Sequence, residues 1–562
     1  MVWYTEPNTG MTVRGEVRLS QPGSESVARV EGNTRNWGGP EGPCRTNYEG
    51  QAGKASQLKE GAPEDLPGVR SVHSTPWQGA SPDTVEGNDT LTQSAQATGP
   101  VRMTGNDWQT FLRAIAEKAQ RAPRHRFGDL YRQLNQDVLR LCFYRLRKDA
   151  ASGVDGVSFQ DYEKNLEANL TDLVKRLKGK QYRAQLVRRK YIPKGNGKLR
   201  PLGIPALEDK LLQMAVTQIL LAIFEIDFLP CSYGYRPGLG PHDAIKALRE
   251  GLQWGSYQFV TEADIQGFFD HLRHDWLLRM LGQRIQDGAL LSLIGKWLRA
   301  GILEEDGQVI HPLTGTPQGG VVSPVLANIY LHYVLDLWFA KVVQPKMRGR
   351  SQMIRYADDF VVCFAYRWEA YAFEKALGER LAKFGLSVAP EKTRTFRFGR
   401  NGGEHNGRFD FLGFEFYWEP DRKGIPRVKG RTATKKWRAS VQRMSEWIRK
   451  NRHQPLGWLM EKLRAKLTGC WNYYGLRGNS LRMNQFHYVT RCQVFKWLNR
   501  RSQRRSLTWP AFHRLWVRFQ IPSPRIVESK ERRPCQRELS FCQRLADFLR
   551  TLKHPVAYAK AS

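Results

Sequence analysis

Apolar residues recur at helical spacing along much of this 562-residue chain. The spacing predicts a helix-rich region over about 105–255, which begins near Trp108 and resumes after Pro205, and a single helix over Val325–Ala340. Beyond residue 430 it predicts a bundle of three helices. Their apolar stripes run from Trp437 to Ile448, from Leu456 to Trp471 and over 481–500.

Strand-like segments fall mainly between residues 256 and 420, where short apolar runs alternate with helical ones. Tyr257–Ala263 predicts a buried strand, and Met353–Phe364 predicts two strands joined by a tight turn. Val187–Pro193 predicts a further strand within the helix-rich region. The order of these elements predicts an α+β fold, in which a mixed sheet flanked by helices precedes a helical bundle.

The first hundred residues follow neither periodicity. They contain 14 glycines and 9 prolines among many Ser, Thr, Gln and Asn residues. A segment of this composition cannot bury enough apolar surface to offset the entropy lost on ordering. We therefore predict that residues 1–103 are a disordered or low-complexity extension, with Met103 a candidate for the true start of the protein.

The chain carries a formal net charge of +34, and this charge is unevenly distributed. Residues 1–100 have a net charge of −4, whereas residues 421–562 alone have +27. A solvated basic face explains a short run of cations. An excess over so long a segment, with Trp and Tyr interleaved, favours a polyanionic partner, most simply nucleic acid.

Three features of the sequence bear on its cellular compartment. No run of 18 apolar residues is present, and the N-terminal sequence lacks the positive charge and apolar block of a signal peptide. The eight cysteines lie far apart with no C-x-x-C pair, which argues against a disulfide framework and a four-cysteine zinc site. These features predict a cytoplasmic protein without a membrane partner.

Two adjacent acids, Asp358 and Asp359, interrupt the apolar hairpin predicted over Met353–Phe364. Partly buried carboxylates raise each other's pKa unless a cation lies between them, and Mg²⁺ prefers such oxygen ligands. The pair alone is equally compatible with a polar hairpin turn. A third acid, Asp264, follows the predicted strand Tyr257–Ala263 and favours a site for two Mg²⁺ ions about 3.5–4 Å apart.

Short segments around these acids occur in a recognisable order, although none is specific alone. They are Ala151–Val157, Lys194–Pro205, Tyr233–Gly238, the strand with Asp264, Gly315–Gly320, Asp358-Asp359, Glu391–Thr393 and Phe411–Phe414. In this order, over roughly residues 128–525, they resemble the motif blocks of the group II intron-encoded reverse transcriptase/maturase family, of the bacterial type without a C-terminal HNH endonuclease.

The resemblance implies a right-hand polymerase fold of the α+β class, with a mixed or antiparallel sheet flanked by helices in the fingers and palm. An α-helical thumb/maturase bundle would follow. The implied domains are fingers at 104–255, a palm with the catalytic site at 256–420 and a thumb/maturase (X) domain at 430–525. Residues 526–562 form a basic C-terminal tail. This tail is too short, and its Cys and His residues are unsuitably spaced, for the HNH endonuclease of many relatives, so no nuclease domain is expected.

The resemblance also implies roles for single residues. Asp264, Asp358 and Asp359 match the catalytic acids that bind the two metal ions. Nucleotide-binding positions are matched by Lys194, Arg200, Phe269 and Gln318, and the primer grip by Phe411, Leu412 and Gly413. Phe269 matches the residue that excludes a 2′-hydroxyl, with core packing as the alternative. A buried strand accounts for the primer-grip segment nearly as well.

Candidates for nucleic-acid contacts lie mainly towards the C-terminus. Trp471, Tyr473 and Tyr474 could stack on bases, although the place of Trp471 on the apolar stripe of its helix favours a core position. The other candidates are cations that would contact phosphates without reading sequence. They are Lys392, Arg500, Arg501, Arg504 and Arg505.

Together these features predict an RNA-directed DNA polymerase encoded by a group II intron, which also binds intron RNA as a maturase to promote splicing and retrohoming. Its expected partners are group II intron RNA, template RNA, a DNA primer or target DNA, dNTPs and two Mg²⁺ ions. One alternative is a catalytically idle RNA-binding splicing factor, against which the three acids and Arg200 argue. Another is a reverse transcriptase of a defence or retron system, against which the region 430–525 argues.

Overall fold

The computed structural model describes residues 105–193, 199–501 and 507–528. Several sequence predictions therefore lie outside the described residues. These are the extension at 1–103, the nucleotide-binding candidate Lys194, the cations Arg504 and Arg505, and all but the first residues of the tail 526–562.

Helices dominate the chain up to residue 254. The elements are α1 (Gly105–Arg121), α2 (Gln136–Phe143), α3 (Phe159–Lys164), α4 (Leu166–Lys178), β1 (Val187–Pro193), β2 (Leu199–Ile204), α5 (Leu207–Phe224) and α6 (Pro241–Trp254). Helix α5 is buried on nearly all sides, with Leu211, Val216 and Ile219 fully buried. A helix of this kind is stable only inside a protein, and α1 and α2 both pack against it.

Strands and helices alternate from residue 259 to residue 432. The elements are β3 (Phe259–Asp264), α7 (Phe268–His271), α8 (His274–Gly282), α9 (Gly288–Leu298), β4 (Ile302–Leu303), β5 (Val309–Ile310), α10 (Ser323–Leu331), β6 (Ser351–Tyr356), β7 (Asp359–Phe364), α11 (Arg367–Lys383), β8 (Arg394–Arg397), β9 (Phe409–Phe411), β10 (Phe414–Pro420) and β11 (Pro426–Thr432). Helices and strands mixed in this way confirm the predicted α+β class.

The strands form three sheets among the described residues, so the prediction of a single mixed or antiparallel sheet is wrong in the number of sheets. Their orders are β2-β1-β4-β5, β6-β7-β3-β8 and β11-β10-β9. Only the first is mixed, because β1 runs parallel to β4 and pairs Val187 with Ile302. Pairing between residues so far apart in sequence leaves no local pattern from which it could be predicted.

The helix predicted over Val325–Ala340 is regular only in its first half. Helix α10 ends at Leu331, and π-helical turns follow at His332–Asp336 and Phe339–Val343. A π turn accommodates one extra residue and often marks a functional position. Here the first turn carries the fully buried Asp336.

A helical bundle completes the described chain. The three predicted helices are confirmed, and a fourth, shorter helix follows them. They are α12 (Thr434–Lys450), α13 (Leu456–Tyr474), α14 (Ser480–Leu498) and α15 (Trp509–Arg518). Their shared core includes Leu463, Leu467, Val494 and Phe512, all fully buried. Across the described residues, no helix combines the length and the apolar character needed to span a bilayer.

Candidate active site

Three carboxylates come together where β3 ends and β7 begins. In the antiparallel pairing of these strands, Asp264 lies directly opposite Asp359. Asp358 precedes Asp359 in the tight turn between β6 and β7, next to Ala357, whose φ is +60°. The strand register therefore gathers the three acids that the sequence analysis singled out.

Electrostatics at this cluster favour a positive charge. Burial, together with the charges of Asp358 and Asp264, raises the pKa of Asp359 to about 7. Burial likewise raises the pKa of Asp358, whereas the positive charge of Arg200 lowers it. A cation among these groups would relieve both effects, since it favours the ionised carboxylates.

One cation already contacts the cluster. The ammonium of Lys392 donates a hydrogen bond to Oδ2 of Asp264 at 2.6 Å. This bond raises the pKa of Lys392. Lys392 thus lies beside the acids, while its predicted contact with nucleic acid stays a prediction.

The donor chemistry of the three acids fits a divalent cation, because Mg²⁺ binds one or two carboxylates and completes its shell with water and phosphate. As they are oriented, no three His, Cys, Asp or Glu side chains within residues 105–193, 199–501 and 507–528 are gathered closely enough to hold a metal. Asp264 is engaged by Lys392 instead. It is therefore the donor chemistry of the three acids, and not their present spacing, that fits such an ion.

A buried arginine, which the sequence analysis missed, fixes the turn that carries Asp358. Arg355 is fully buried and donates a hydrogen bond to the carbonyl of Ala357 at 2.9 Å. Its guanidinium also bonds both carboxylate oxygens of Asp336, at 2.7 and 2.5 Å. The signal in the sequence was a cation inside an apolar strand, which is stable only with a buried partner.

A glycine allows a loop to pack closely against the same turn. A Cβ on Gly234 would lie 2.3 Å from the backbone nitrogen of Ala357, so a larger residue does not fit. The Gly234 carbonyl accepts a hydrogen bond from Asn328 at 2.6 Å. The next residue, Tyr235, has a φ of +58°, and burial and the charge of Asp358 raise its pKa to about 12. Tyr235 is therefore a further side chain close to the acids.

Two nucleotide-binding candidates lie on adjoining segments. Arg200 is exposed on β2, and its charge acts on Asp358. The Gln318 carbonyl accepts a hydrogen bond from the Gly203 N–H of the same strand at 2.7 Å. The next residue, Gly319, has a φ of +120°, and a Cβ there would lie 2.6 Å from the Gly203 oxygen. A glycine is thus required for the turn that brings Gln318 to β2.

The neighbouring rings of Phe268 and Phe269 occupy different environments. Phe268 is 2% exposed and belongs to the core, whereas Phe269 is only partly buried. The Phe269 carbonyl accepts a hydrogen bond from Thr316 at 2.8 Å, which ties it to the Gly-rich segment. Core packing is therefore chiefly the role of Phe268, and the sugar-selecting role of Phe269 stays a prediction.

The predicted primer grip is a tight hairpin turn between β9 and β10. Leu412 and Gly413 both have positive φ, +50° and +79°, as a two-residue turn requires. The hydroxyl of Tyr473 donates to the Leu412 carbonyl at 2.9 Å and anchors the turn to the bundle. Phe411 is 1% exposed, so its ring supports the turn from the core and does not itself reach solvent.

Residues 192–416 match the family model described as reverse transcriptase (RNA-dependent DNA polymerase). This stretch is therefore similar in sequence to reverse transcriptase domains. It contains the three carboxylates, the Gly-rich segment and the turn at Leu412. The match to the family model agrees with the strand pairing that places Asp264 opposite Asp359.

The chain is similar to group II intron-encoded proteins. It is 37% identical over 239 residues to the group II intron-encoded protein LtrA of Lactococcus lactis subsp. cremoris, which covers 42% of this chain and 39% of the relative. It is also 37% identical over 240 residues to protein YkfC of Escherichia coli (strain K12), covering 37% of this chain and 62% of the relative. An uncharacterized 91 kDa protein in the cob intron of Schizosaccharomyces pombe is 34% identical over 203 residues, 35% of this chain and 24% of the relative. The matched segment thus spans between about a quarter and three fifths of these relatives.

Beyond residue 416, the core position favoured for Trp471 is confirmed, and its assignment as a nucleic-acid-binding residue is wrong. Trp471 is fully buried, and its indole N–H donates to the Pro522 carbonyl at 3.0 Å, so no base can stack on it. The rings of Tyr473 and Tyr474 pack beside Phe414, with centroids 6.0 and 5.4 Å away. The two tyrosines thus join the end of α13 to the start of β10. Base stacking by them stays a prediction.

The two described arginines of the predicted phosphate-binding group differ in environment. Arg500 is exposed and lies over the ring of Trp497, 5.7 Å from its centroid. Arg501 is partly buried and donates to the Gln454 carbonyl at 3.0 Å. Arg501 therefore links the end of α14 to the loop after α12, while Arg500 offers its charge to solvent.

Proposed function

We propose that this chain is an RNA-directed DNA polymerase encoded by a group II intron. It extends a DNA primer on an RNA template with dNTPs, and it binds intron RNA as a maturase to promote splicing and retrohoming. The observation that carries the proposal is the register of Asp264 opposite Asp359, with Asp358 in the adjoining turn. Five free cysteines among the described residues agree with a reducing, cytoplasmic location.

The described elements support a right-hand polymerase arrangement. The β6-β7-β3-β8 sheet corresponds to the palm, and the β1–β2 hairpin with its flanking helices to the fingers. The bundle α12–α15 corresponds to the thumb and maturase region. On this assignment Arg200 belongs to the fingers and acts on the acids of the palm, where a triphosphate would lie between them.

Asp264, Asp358 and Asp359 would hold two Mg²⁺ ions. When bound, these ions would supply the positive charge that activates a primer 3′-hydroxyl and neutralises the triphosphate of the incoming nucleotide. The chain's own residues then have separate tasks. Arg355 holds the turn of Asp358, Arg200 offers a bidentate cation to phosphate, and the turn at Leu412 supports the primer.

An idle splicing factor would have no need of this arrangement. Burial of Asp359 beside two other carboxylates raises its pKa and therefore disfavours the folded protein at neutral pH. A chain without polymerase activity gains nothing in return. An active enzyme is therefore favoured by three features: the cluster of acids, the buried Arg355 network and the charge of Arg200 beside Asp358.

The proposal is tested with the full chain and its Asp358→Asn variant. Primer extension on an RNA template should fall by at least about 100-fold, because the substitution removes a charged ligand of the proposed Mg²⁺ ions. Binding of the same variant to labelled intron RNA should stay within about threefold of wild type, since the substitution leaves every basic side chain of the protein in place.

Asp306→Asn is the matched control. Asp306 lies in an exposed surface turn, where it accepts the backbone N–H of Gln308 at 3.1 Å, and the control should leave both activities unchanged. Extension by Asp358→Asn at the wild-type rate would contradict the metal-binding assignment. Loss of RNA binding together with extension would show that the variant had lost its fold.

A further inference from the structure

A group of exposed aromatic and basic side chains lies at the end of the β6–β7 hairpin that is remote from the acids. We call it the distal patch. It comprises Arg348, Arg350, Tyr366, Arg367, Trp368 and Tyr371. Strand β7 runs for six residues from Asp359 to Phe364, so the patch is about 17 Å or more from the carboxylates.

The aromatic members of the patch are unusually accessible. Trp368 is 54% exposed, Tyr366 49% and Tyr371 47%. Single exposed aromatics are common, whereas three within six residues place accessible rings close together along the chain, and exposed apolar surface of this kind typically marks a binding site. Arg367 lies over the ring of Tyr371, 5.5 Å from its centroid. Within the described part of the chain, no other ring packs on Tyr366 or Trp368.

Two of the basic members, Arg348 and Arg350, lie in a loop that the buried side chain of Glu369 holds in place. Glu369 is fully buried, and its Oε1 accepts the backbone N–H groups of Arg348 and Gly349 at 2.6 and 3.0 Å. The Arg350 carbonyl accepts a further bond from Ala365 at 3.1 Å. The loop is therefore ordered before any partner binds, which reduces the entropy cost of binding.

The charges of the patch are not compensated at the surface. Glu369 is the only acid in segments 344–350 and 366–371, and it is buried beneath the loop. Arg348 and Arg350 form no ion pair with any residue in the described ranges. In contrast, Arg427 and Arg431 of the β9–β11 sheet are both paired with acids.

We propose that the distal patch binds an unpaired segment of RNA, with bases stacked on Tyr366 and Trp368 and phosphates contacted by Arg348 and Arg350. Unstacked bases on aromatic rings, with arginines on the backbone, are the usual mode of single-stranded RNA recognition. An uncompensated cluster of arginines favours RNA over a protein partner. The site is too far from the acids to hold the primer terminus, so it would hold a separate part of the intron. This inference rests on the proposed function and names a second contact for its RNA partner.

Two double variants of the full chain test the proposal. Tyr366→Ala/Trp368→Ala should weaken filter binding of labelled intron RNA by about 10-fold or more, given the usual loss per stacked base. Arg348→Gln/Arg350→Gln should flatten the slope of log affinity against log salt by about 1.4, at ~0.7 per single-strand phosphate contact. Extension of a short primer on a short RNA template should be unchanged in both.

Tyr144→Ala is the control, because Tyr144 is 53% exposed at the end of α2, a helix that packs on α5. It should leave intron RNA affinity unchanged. Wild-type RNA affinity in both double variants would overturn the proposal, and so would equal losses in Tyr144→Ala. Equal competition by single-stranded DNA of the same sequence would also overturn it. Failure of the proposed function is distinguishable, since it would appear as absent primer extension in the wild-type chain.

Discussion

Replacing Asp359 with asparagine should stabilise the metal-free protein at neutral pH while abolishing polymerase activity. In the folded chain, burial and the charges of Asp358 and Asp264 raise the pKa of Asp359 to about 7, against an ordinary value of 3.8. Asparagine keeps the shape of the side chain and cannot ionise. The substitution therefore removes a charge that the fold holds in an unfavourable place.

The magnitude follows from linkage between ionisation and folding. One pKa unit corresponds to about 1.36 kcal/mol, so the full shift corresponds to about 4 kcal/mol of lost stability above pH 7. Asp359 is partly exposed and shares its field with two other acids, and screening by solvent reduces the expected gain to about 1–2 kcal/mol. For a domain of 150–250 residues this is a rise in Tm of roughly 2–8 °C.

The pH dependence gives the prediction its sign. A pKa raised in the folded state means that the penalty is absent below about pH 4, where both states are protonated. It grows as pH rises and is complete above about pH 7. The difference in Tm between Asp359→Asn and wild type, measured by thermal unfolding in EDTA, should therefore increase from pH 5 to pH 8. Added Mg²⁺ should stabilise the wild type and not the variant.

Asp421→Asn provides a control of opposite sign. Asp421 accepts the backbone N–H of Ile425 at 3.0 Å, and this bond lowers its pKa, so its substitution should not stabilise the protein at neutral pH. A Tm difference for Asp359→Asn that is flat between pH 5 and pH 8, or negative at pH 8, would refute the electrostatic account of the cluster.

Three further predictions concern sugar selection by Phe269, the packing of Gly234 on Ala357 and the ion pair of Glu528 with Arg249. Phe269→Val should raise ribonucleotide incorporation in primer extension, and an unchanged ratio of dNTP to rNTP use would return Phe269 to core packing. Gly234→Ala should cost about 1–3 kcal/mol of stability and most of the polymerase activity, because the new Cβ meets Ala357; normal extension at full stability would contradict this. Glu528→Gln should lower the free energy of unfolding in urea by about 1–3 kcal/mol, since it leaves the partly buried Arg249 without its ionised partner; an unchanged midpoint would show the pair to be neutral.

The acids could be predicted from the sequence because their signal is local. Asp358 and Asp359 stand out as charges in an apolar hairpin, and Asp264 as a charge at the end of an apolar strand. The bundle helices were predictable for the same reason, since an apolar stripe at helical spacing is a property of a single segment. Their bounds differ from the predicted ones by only a few residues.

The supporting network could not be predicted, because its members meet only in three dimensions. Arg355 joins Asp336 on a π-helical turn, and the Gly234 loop packs on Ala357 from a different part of the chain. Aromatic residues near the C-terminus were ambiguous because core packing and base stacking select the same side chains. The full burial of Trp471 excludes base stacking by this residue, and the local sequence pattern does not show which aromatic residues are buried.

The central claim is that the gathered carboxylates make this chain a polymerase that copies RNA. The most direct measurement is incorporation of labelled dNTPs by the purified full chain on a DNA primer annealed to an RNA template, with Mg²⁺ and with EDTA. The account predicts Mg²⁺-dependent cDNA of template length and no product in EDTA. Tight binding of intron RNA without any cDNA, under conditions in which the protein is folded, would contradict the account and identify the chain as a splicing factor alone.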